Sequence, residues 1–477
     1  MMRRPSLFSW LKNYQDKISK AIGLFVFGSL IVIPFQAFGR DLDAATLLSQ
    51  VQPNSASAEG KEVLDLDLSK ATSTNKGFEA GFLLGTDVHS KARMSSLNTG
   101  YWRVGSFEQA QFAARNGAKT TLLMMEIYAA YKGGLRNAKP WNDWPEFERV
   151  VQKIVEQARA RSIPVDYWEI WNEPNSREFW QGTPEQFLEM TSRAIKAVRA
   201  VDPNAKIVGF SSSEFAIKAI EYYLDYIKSQ GLKIDALAWH EFIDEPKLIK
   251  AHVATARALF ERKGLKLEIH VNEFVSGPHH LIPGWNLAYL ISILESNVNF
   301  ASRACWHRAD GRNPTSECGP GLNGLLIRDE SSLTPLGALY ASWALAKLDR
   351  HVVNQSLRGI SSIATARIGD KGGRVLIGRY SCGRNNRWCG SREHQAADQP
   401  QPAKTILVRL TSPAWSNKRV QFKSASIANK GLELTYSSAP VNSQTYTANA
   451  KGLIEFHVNL EDGSVFVLAW ETLLDTK

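Results

Sequence analysis

From about Gly77 the chain alternates short apolar runs with longer stretches whose apolar positions recur every three or four residues. Short runs of that kind read as buried strands, and the longer ones as helices with one inward face. The strand candidates are Ala80–Thr86, Tyr101–Val104, Thr120–Met125, Val165–Trp171, Lys206–Phe210, Ala236–His240, Leu267–Val271 and Phe300–Trp306. Helical patterns cover Phe147–Arg161, Thr183–Val201, Glu214–Ser229, Pro246–Lys263 and Trp285–Ser296, with a last one at Pro335–Lys347. At Thr183 a capping residue, Pro184 at the first helical position and Gln186 three residues on mark a helix start. Strands alternating with helices build a parallel sheet. Eight strand–helix units predict an α/β fold, a (β/α)₈ TIM barrel over residues 77–349. The first two helices are weakly written, so the number eight rests partly on what a closed barrel requires.

After His351 no helical period remains. Val375–Tyr380, Thr405–Thr411, Lys418–Lys423, Leu432–Tyr436, Ile454–Val458 and Ser464–Trp470 are strand-like runs separated by Gly, Asn, Pro and Ser, so residues 350–477 predict an all-β sandwich-like module. Residues 40–76 are rich in Ser, Ala, Asn and Lys and read as a linker, with one alternating run at Val63–Leu68 that predicts a strand.

The composition, 44% hydrophobic and 22% charged, excludes disordered, collagen-like and coiled-coil chains. Of the net charge of +10, the first 39 residues carry +4, from Arg3, Arg4, Lys12, Lys17 and Lys20 against Asp16. The +6 that remains is a mild surplus. No helix-turn-helix, zinc-finger or base-stacking pattern accompanies it, so no nucleic acid partner is expected. Behind the basic stretch come nineteen uncharged residues, 21–39, ending in Ala37 and Gly39. Residues 1–39 therefore read as a signal peptide, or as a membrane anchor if uncleaved. The body of the chain is then exported, to the periplasm or beyond. Four cysteines agree: Cys305 with Cys318, and Cys382 with Cys389, each close a short loop and read as two disulfides. No metal-ligand set or phosphate-binding glycine loop is present, and no cofactor is expected.

The chemistry lies in two segments. In Trp168-Glu169-Ile170-Trp171-Asn172-Glu173-Pro174-Asn175 an apolar strand runs into Asn-Glu, and Pro174 stops the ladder. In Leu267-Glu268-Ile269-His270-Val271-Asn272-Glu273-Phe274 a second Asn-Glu closes the seventh strand. Catalytic groups of a barrel sit at the C-terminal ends of its strands, so Glu173 and Glu273 can converge over the mouth. Two such carboxylates suit glycoside hydrolysis, one protonating the leaving oxygen and the other attacking the sugar carbon or activating water. Asn172 can donate towards a substrate oxygen. Asp87, Glu126 and Glu241 compete for the same mouth but lack the Asn-Glu context. Trp180, Trp141 and Trp144, in loops or at helix starts, are candidates for stacking further sugar rings. His279-His280 are candidates for lining a subsite, or solvated loop residues.

The first segment closely resembles the acid/base motif of clan A retaining glycosidases, glycoside hydrolase family 39 in particular. Val271-Asn272-Glu273-Phe274 resembles that clan's nucleophile strand. The resemblance implies that Glu173 is the general acid/base and Glu273 the nucleophile of a double displacement with retention. It also implies that Asn172 holds the sugar 2-hydroxyl. Arg103 resembles a buried arginine that supports the nucleophile, with a structural ion pair as the alternative. His240 is similar to a clan histidine near the active site, and Trp306 to the aromatic floor of the sugar subsite. Where the clan often has an aromatic contacting the nucleophile, two residues past that histidine, this chain has Phe242, which has no hydroxyl. The family's architecture would also let Val63–Leu68 join the trailing sandwich.

The expected partner is an oligo- or polysaccharide, with a bacterial exopolysaccharide suggested by analogy. The basic loops near Arg308, Arg312 and Arg384 are compatible with an anionic one. The competing functions are a non-catalytic carbohydrate-binding protein of a polysaccharide assembly or export system, and a transglycosylase.

Overall fold

The computed structural model describes residues 62–73, 79–83, 96–97, 99–304, 324–326, 332–380, 402–429 and 441–472. The N-terminal segment 1–39, Asp87, Trp306, all four cysteines, the basic loop residues Arg308, Arg312 and Arg384, and the strand expected at Leu432–Tyr436 lie outside them.

Eight parallel strands close into a barrel. In chain order they are β3 (Glu79–Leu83), β4 (Tyr101–Val104), β5 (Lys119–Leu123), β6 (Tyr167–Glu169), β7 (Ile207–Ser212), β8 (Ala236–Glu241), β9 (Glu268–Phe274) and β10 (Phe300–Arg303). The segments carrying Glu173 and Glu273 follow or form the fourth and seventh of these strands. The third strand is shorter than its apolar run suggests: Met124 and Met125 open a helix, Met124–Tyr131, rather than ending β5. The weakly written helix after the second strand is present at Phe107–Arg115, capped by the Ser106 side chain on the Gln109 amide.

Inside the barrel, residues two apart along each strand form successive layers, because a strand's side chains alternate. The lower layer is aromatic. Tyr101, Tyr167 and Phe300 meet there, and Tyr101 and Phe300 stack at 4.7 Å. His270 packs edge-on against all three. One step higher on the same strands stand Arg103, Glu169 and Asn272, all buried. The polar layer is thus displaced by two residues from an apolar floor.

The trailing module is two sheets around a second core that includes Trp415, Phe422 and Trp470. The smaller sheet is β1 (Val63–Asp67), β14 (Lys404–Thr411) and β17 (Leu453–Leu460), with β1 parallel to β14. The strand ahead of the barrel therefore does pair with the strands behind it. The larger sheet runs β16 (Asn442–Thr447), β15 (Arg419–Ile427), β18 (Val465–Thr472), β13 (Gly372–Arg379), β12 (Ile360–Ala366), β11 (Arg350–Asn354) and β2 (Thr72–Ser73). The apolar pattern misses β12 for a physical reason. Every residue of Ile360-Ser361-Ser362-Ile363-Ala364-Thr365-Ala366 is buried, one face on the smaller sheet's core and the other against the helix Pro283–Ser296. A strand covered on both sides has no polar alternation to read. That helix is buried nearly all round between barrel and sandwich. It approaches so closely that a Cβ on Gly284 would stand 1.8 Å from the Arg379 carbonyl oxygen, so only glycine fits.

A single buried carboxylate ties the module's turns together. Asp370, at φ 53°, accepts from Ser412 Oγ at 2.5 Å and pairs with Arg350. Its carbonyl oxygen receives the indole N–H groups of Trp415 at 3.1 Å and Trp470 at 3.3 Å. Asp370→Ala leaves the Arg350 cation and the Ser412 hydroxyl without their acceptor, and the expected loss is about 3 kcal/mol. Asp370→Asn keeps a residue that tolerates the left-handed conformation and should lose less. Urea unfolding midpoints of the two variants and the wild type check this; variants that unfold together with the wild type would show that the buried carboxylate contributes nothing.

Candidate active site

The site is built on one buried cation. Arg103, 1% exposed, donates through Nε to Glu169 Oε2 at 2.7 Å and through Nη2 to Glu169 Oε1 at 2.5 Å. Nη2 also donates to Asn172 Oδ1 at 2.8 Å, and Nη1 donates to Glu273 Oε1 at 2.7 Å. Glu169, itself fully buried, takes a further hydrogen bond from Asn272 Nδ2 at 2.7 Å. Glu169 and Glu273 push the Arg103 guanidinium further into its charged form than burial alone would allow.

Backbone irregularities aim the two candidate carboxylates. Between β8 and β9 the register slips, Trp239 facing Val271 but His240 facing Glu273, so Asn272 is an extra residue. This bulge lets two consecutive residues, Asn272 and Glu273, both reach the Arg103–Glu169 pair, which plain alternation forbids. Glu173 sits at φ 40°, a left-handed conformation that costs energy for a non-glycine residue. It is held there by bonds to the end of β7. Its amide donates to the Ser211 carbonyl at 2.9 Å, and Asn175 and Ser213 bond each other reciprocally at 2.8 and 3.0 Å.

His240 joins the pair. Its Nδ1 lies 2.8 Å from Glu173 Oε1 and its Nε2 lies 3.7 Å from Glu273 Oε1. One imidazole thus faces both carboxylates. The Glu173 and Glu273 side chains are 14% and 13% exposed. In each, Oε1 is engaged by protein, while Oε2 makes no hydrogen bond among the described residues. Burial pushes the Glu273 carboxyl above its ordinary range. His240 and Arg103 pull against that shift, and Glu173 adds to it as a like charge. Arg103 compensates Glu273 only in part, because two of its nitrogens already serve Glu169.

Arg103 is buried and donates to Glu273, as expected of an arginine that supports the nucleophile; its other contacts are Glu169 and Asn172, and it has no surface for a sugar. His240, fully buried, likewise acts on Glu173 and Glu273 rather than on substrate. Trp180 is 2% exposed and packs edge-on against Trp141, Trp171 and Phe187 at 4.8–5.6 Å, so it is core and not a sugar platform. Trp141 packs on it, and Trp144 sits under the Arg193 guanidinium at 5.3 Å. Asn172 stays at the site with Oδ1 on Arg103, and its Nδ2 makes no hydrogen bond among the described residues. His279 and His280 are buried rather than solvated, His279 stacked on Trp285 at 3.7 Å and His280 pulled down to about 4 by burial. Phe242 meets His240 edge-on at 5.3 Å and brings no hydroxyl.

Of the competing carboxylates, Glu241 accepts from Trp239 Nε1 at 2.6 Å and faces His252 Nδ1 at 3.0 Å, away from the pair. Glu126 lies on the helix Met124–Tyr131. Sequence reasoning gave no role to Glu169 or Asn272. A charged residue within the apolar run Tyr167-Trp168-Glu169-Ile170 was the available signal, since a lone carboxylate there needs a buried partner.

Residues 120–274 match the family model of Glycosyl hydrolases family 39. A β-xylosidase of Caldicellulosiruptor saccharolyticus is 27% identical over 115 residues, 24% of this chain and 23% of that protein. One from Geobacillus stearothermophilus is 21% identical over 206 residues, 38% of this chain and 41% of that protein. The chain thus aligns with less than half the length of either. In fold it is similar to the family 39 enzyme of Xanthomonas axonopodis pv. citri, with a TM-score of 0.63 at 15% identity, over 89% of this chain and 100% of that one. The segment that matches this family model contains both Asn-Glu strand ends, Glu169 and His240.

Proposed function

We propose that this protein is a retaining glycoside hydrolase acting on an oligo- or polysaccharide, with Glu173 as general acid/base and Glu273 as nucleophile. One observation carries the reading: two carboxylates share one imidazole over the barrel mouth, each with Oε1 held by protein and Oε2 unengaged among the described residues. In the first step Glu273 Oε2 attacks the anomeric carbon, the glycosidic bond breaks, and the Glu173 proton passes to the leaving oxygen. In the second, Glu173 takes a proton from water, the water oxygen bonds to the anomeric carbon, and the ester to Glu273 breaks. Glu173, facing the bond that breaks in the first step and the water that enters in the second, serves as acid first and base second. Asn172 Nδ2 is the donor for a sugar hydroxyl. The likeness to two proteins named β-xylosidases makes β-xylosides the first substrates to test. Bacterial exopolysaccharides, neutral and anionic, are the second set, in keeping with an exported chain.

Glu173→Gln should lower kcat/KM on an unactivated glycoside by about 10²–10⁴, with a much smaller loss on an aryl glycoside whose leaving group needs no proton. Equal turnover of the unactivated substrate by variant and wild type would refute the acid assignment. For Glu273→Ala, azide should restore turnover and give a glycosyl azide of inverted configuration; unaltered activity without azide would refute the nucleophile.

Activity requires ionised Glu273, whose carboxyl is raised, so kcat/KM should fall with acidification through a midpoint above the ordinary glutamate value of 4.5. A pH profile on an activated aryl glycoside measures this, and a midpoint at or below the ordinary value would contradict the buried, raised carboxyl.

A further inference from the structure

We infer that Glu169 is a positioning residue for Glu273: by occupying Arg103 it keeps the guanidinium from fully neutralising the carboxylate that attacks the sugar. This rests on the functional reading above and deepens it. Glu169 holds Arg103 through both carboxylate oxygens, at 2.5 and 2.7 Å, whereas Glu273 receives a single N–H at 2.7 Å. Asn272 fixes the second side of Glu169 from the opposite strand, at 2.7 Å to Oε2 and 3.2 Å to Ser211 Oγ. All three of Arg103, Glu169 and Asn272 are buried, so water does not screen these charges.

A nucleophile gripped by an undivided guanidinium would be strongly ionised and a weak attacker, because its negative charge would be spent on the ion pair. One left without a cation in the same buried place would hold its proton. Sharing Arg103 between two carboxylates places Glu273 between these limits. The groups facing Glu273 are Arg103 from β4, Glu173 from the loop after β6 and His240 from β8. Those facing Glu169 are Arg103, Asn272, Tyr101 and His270. Only Arg103 is common to both sets. The effect of Glu169 on Glu273 therefore passes through that one guanidinium, apart from the direct repulsion of two like charges, which acts in the same direction.

The test is the acid limb of kcat/KM on an activated aryl glycoside. In Glu169→Gln it should move to lower pH by about one unit, because Arg103 then has only Glu273 to neutralise. A purely structural role for Glu169 lowers activity at every pH and leaves the limb in place, and that result would overturn the inference. The exchange variant, Glu169→Gln with Asn272→Asp, keeps the net charge and the contact between β6 and β9. Its limb should return towards the wild-type position. If Glu169→Gln does not fold, the exchange variant decides alone, since a limb still displaced by a unit contradicts the proposal. Glu273→Ala separates the two levels. An inactive, azide-rescued Glu273→Ala beside an unmoved limb in Glu169→Gln sinks this inference and leaves the functional reading standing. An active Glu273→Ala sinks the functional reading itself.

Discussion

Burying a guanidinium inside a barrel is costly unless a carboxylate comes with it, and the arrangement around Arg103 follows from that requirement. Arg103 stands on β4 two residues after Tyr101, Glu169 on β6 two after Tyr167, and Asn272 on β9 two after His270. Closing the barrel brings these positions together one layer above an aromatic floor. Once Glu169 neutralises the cation, Arg103 has an N–H left over on the side of the mouth, and Glu273 takes it. The candidate nucleophile is thus oriented by a pair that the fold needs for its own interior. The charge at the mouth is inherited from the charge beneath it.

That inheritance reaches Glu173 through the backbone. Glu173 follows a three-residue strand and is held at positive φ by the end of β7, itself irregular, with Phe210 at φ 74° and Ser211 at φ 47°. The bulges at Ser211 on β7 and Asn272 on β9 face the two opposite edges of β8, the strand that carries His240. Each bulge re-aims the strand end beside it, so His240 meets Glu173 on one ring nitrogen and faces Glu273 on the other. Regular strands would turn every second side chain away from the axis and leave the two carboxylates without a shared partner.

Most of the barrel was legible because its strands are covered on both faces and its helices on one, which writes distinct periods into the chain. The two Asn-Glu strand ends stood out for the same reason, as polar breaks in apolar runs. Arg103 and His240 were legible as residues near the site but not in their contacts, since no local pattern says which atoms a long or planar side chain will reach across a barrel. Glu169 was passed over because its partner lies 66 residues away, on a strand that carries no acidic residue of its own. β12 escaped notice because two-sided burial favours small residues and erases the alternation. Trp180 misled by position: a tryptophan in a loop has the right chemistry for a sugar ring, but this loop folds inward on Trp171 and Phe187.

The tryptophans make the wider point about what marks a carbohydrate site. Of the fourteen in the chain, Trp102, Trp168, Trp171, Trp180, Trp239, Trp285, Trp343, Trp415 and Trp470 are all buried, spread through barrel and sandwich alike. An aromatic surplus therefore reports packing here. A buried indole needs an acceptor for its N–H, and Trp239 finds one in Glu241, Trp171 in the Phe179 carbonyl, and Trp415 and Trp470 in the Asp370 carbonyl. What distinguishes the mouth is the reverse condition: carboxylate oxygens held on one side by buried donors and left unengaged on the other. Both side chains keep some exposure, 14% and 13%, so a sugar can reach the unengaged oxygens while the interior charge network fixes the other oxygen of each. Access on one side combined with fixed orientation on the other is the physical argument for chemistry at that position.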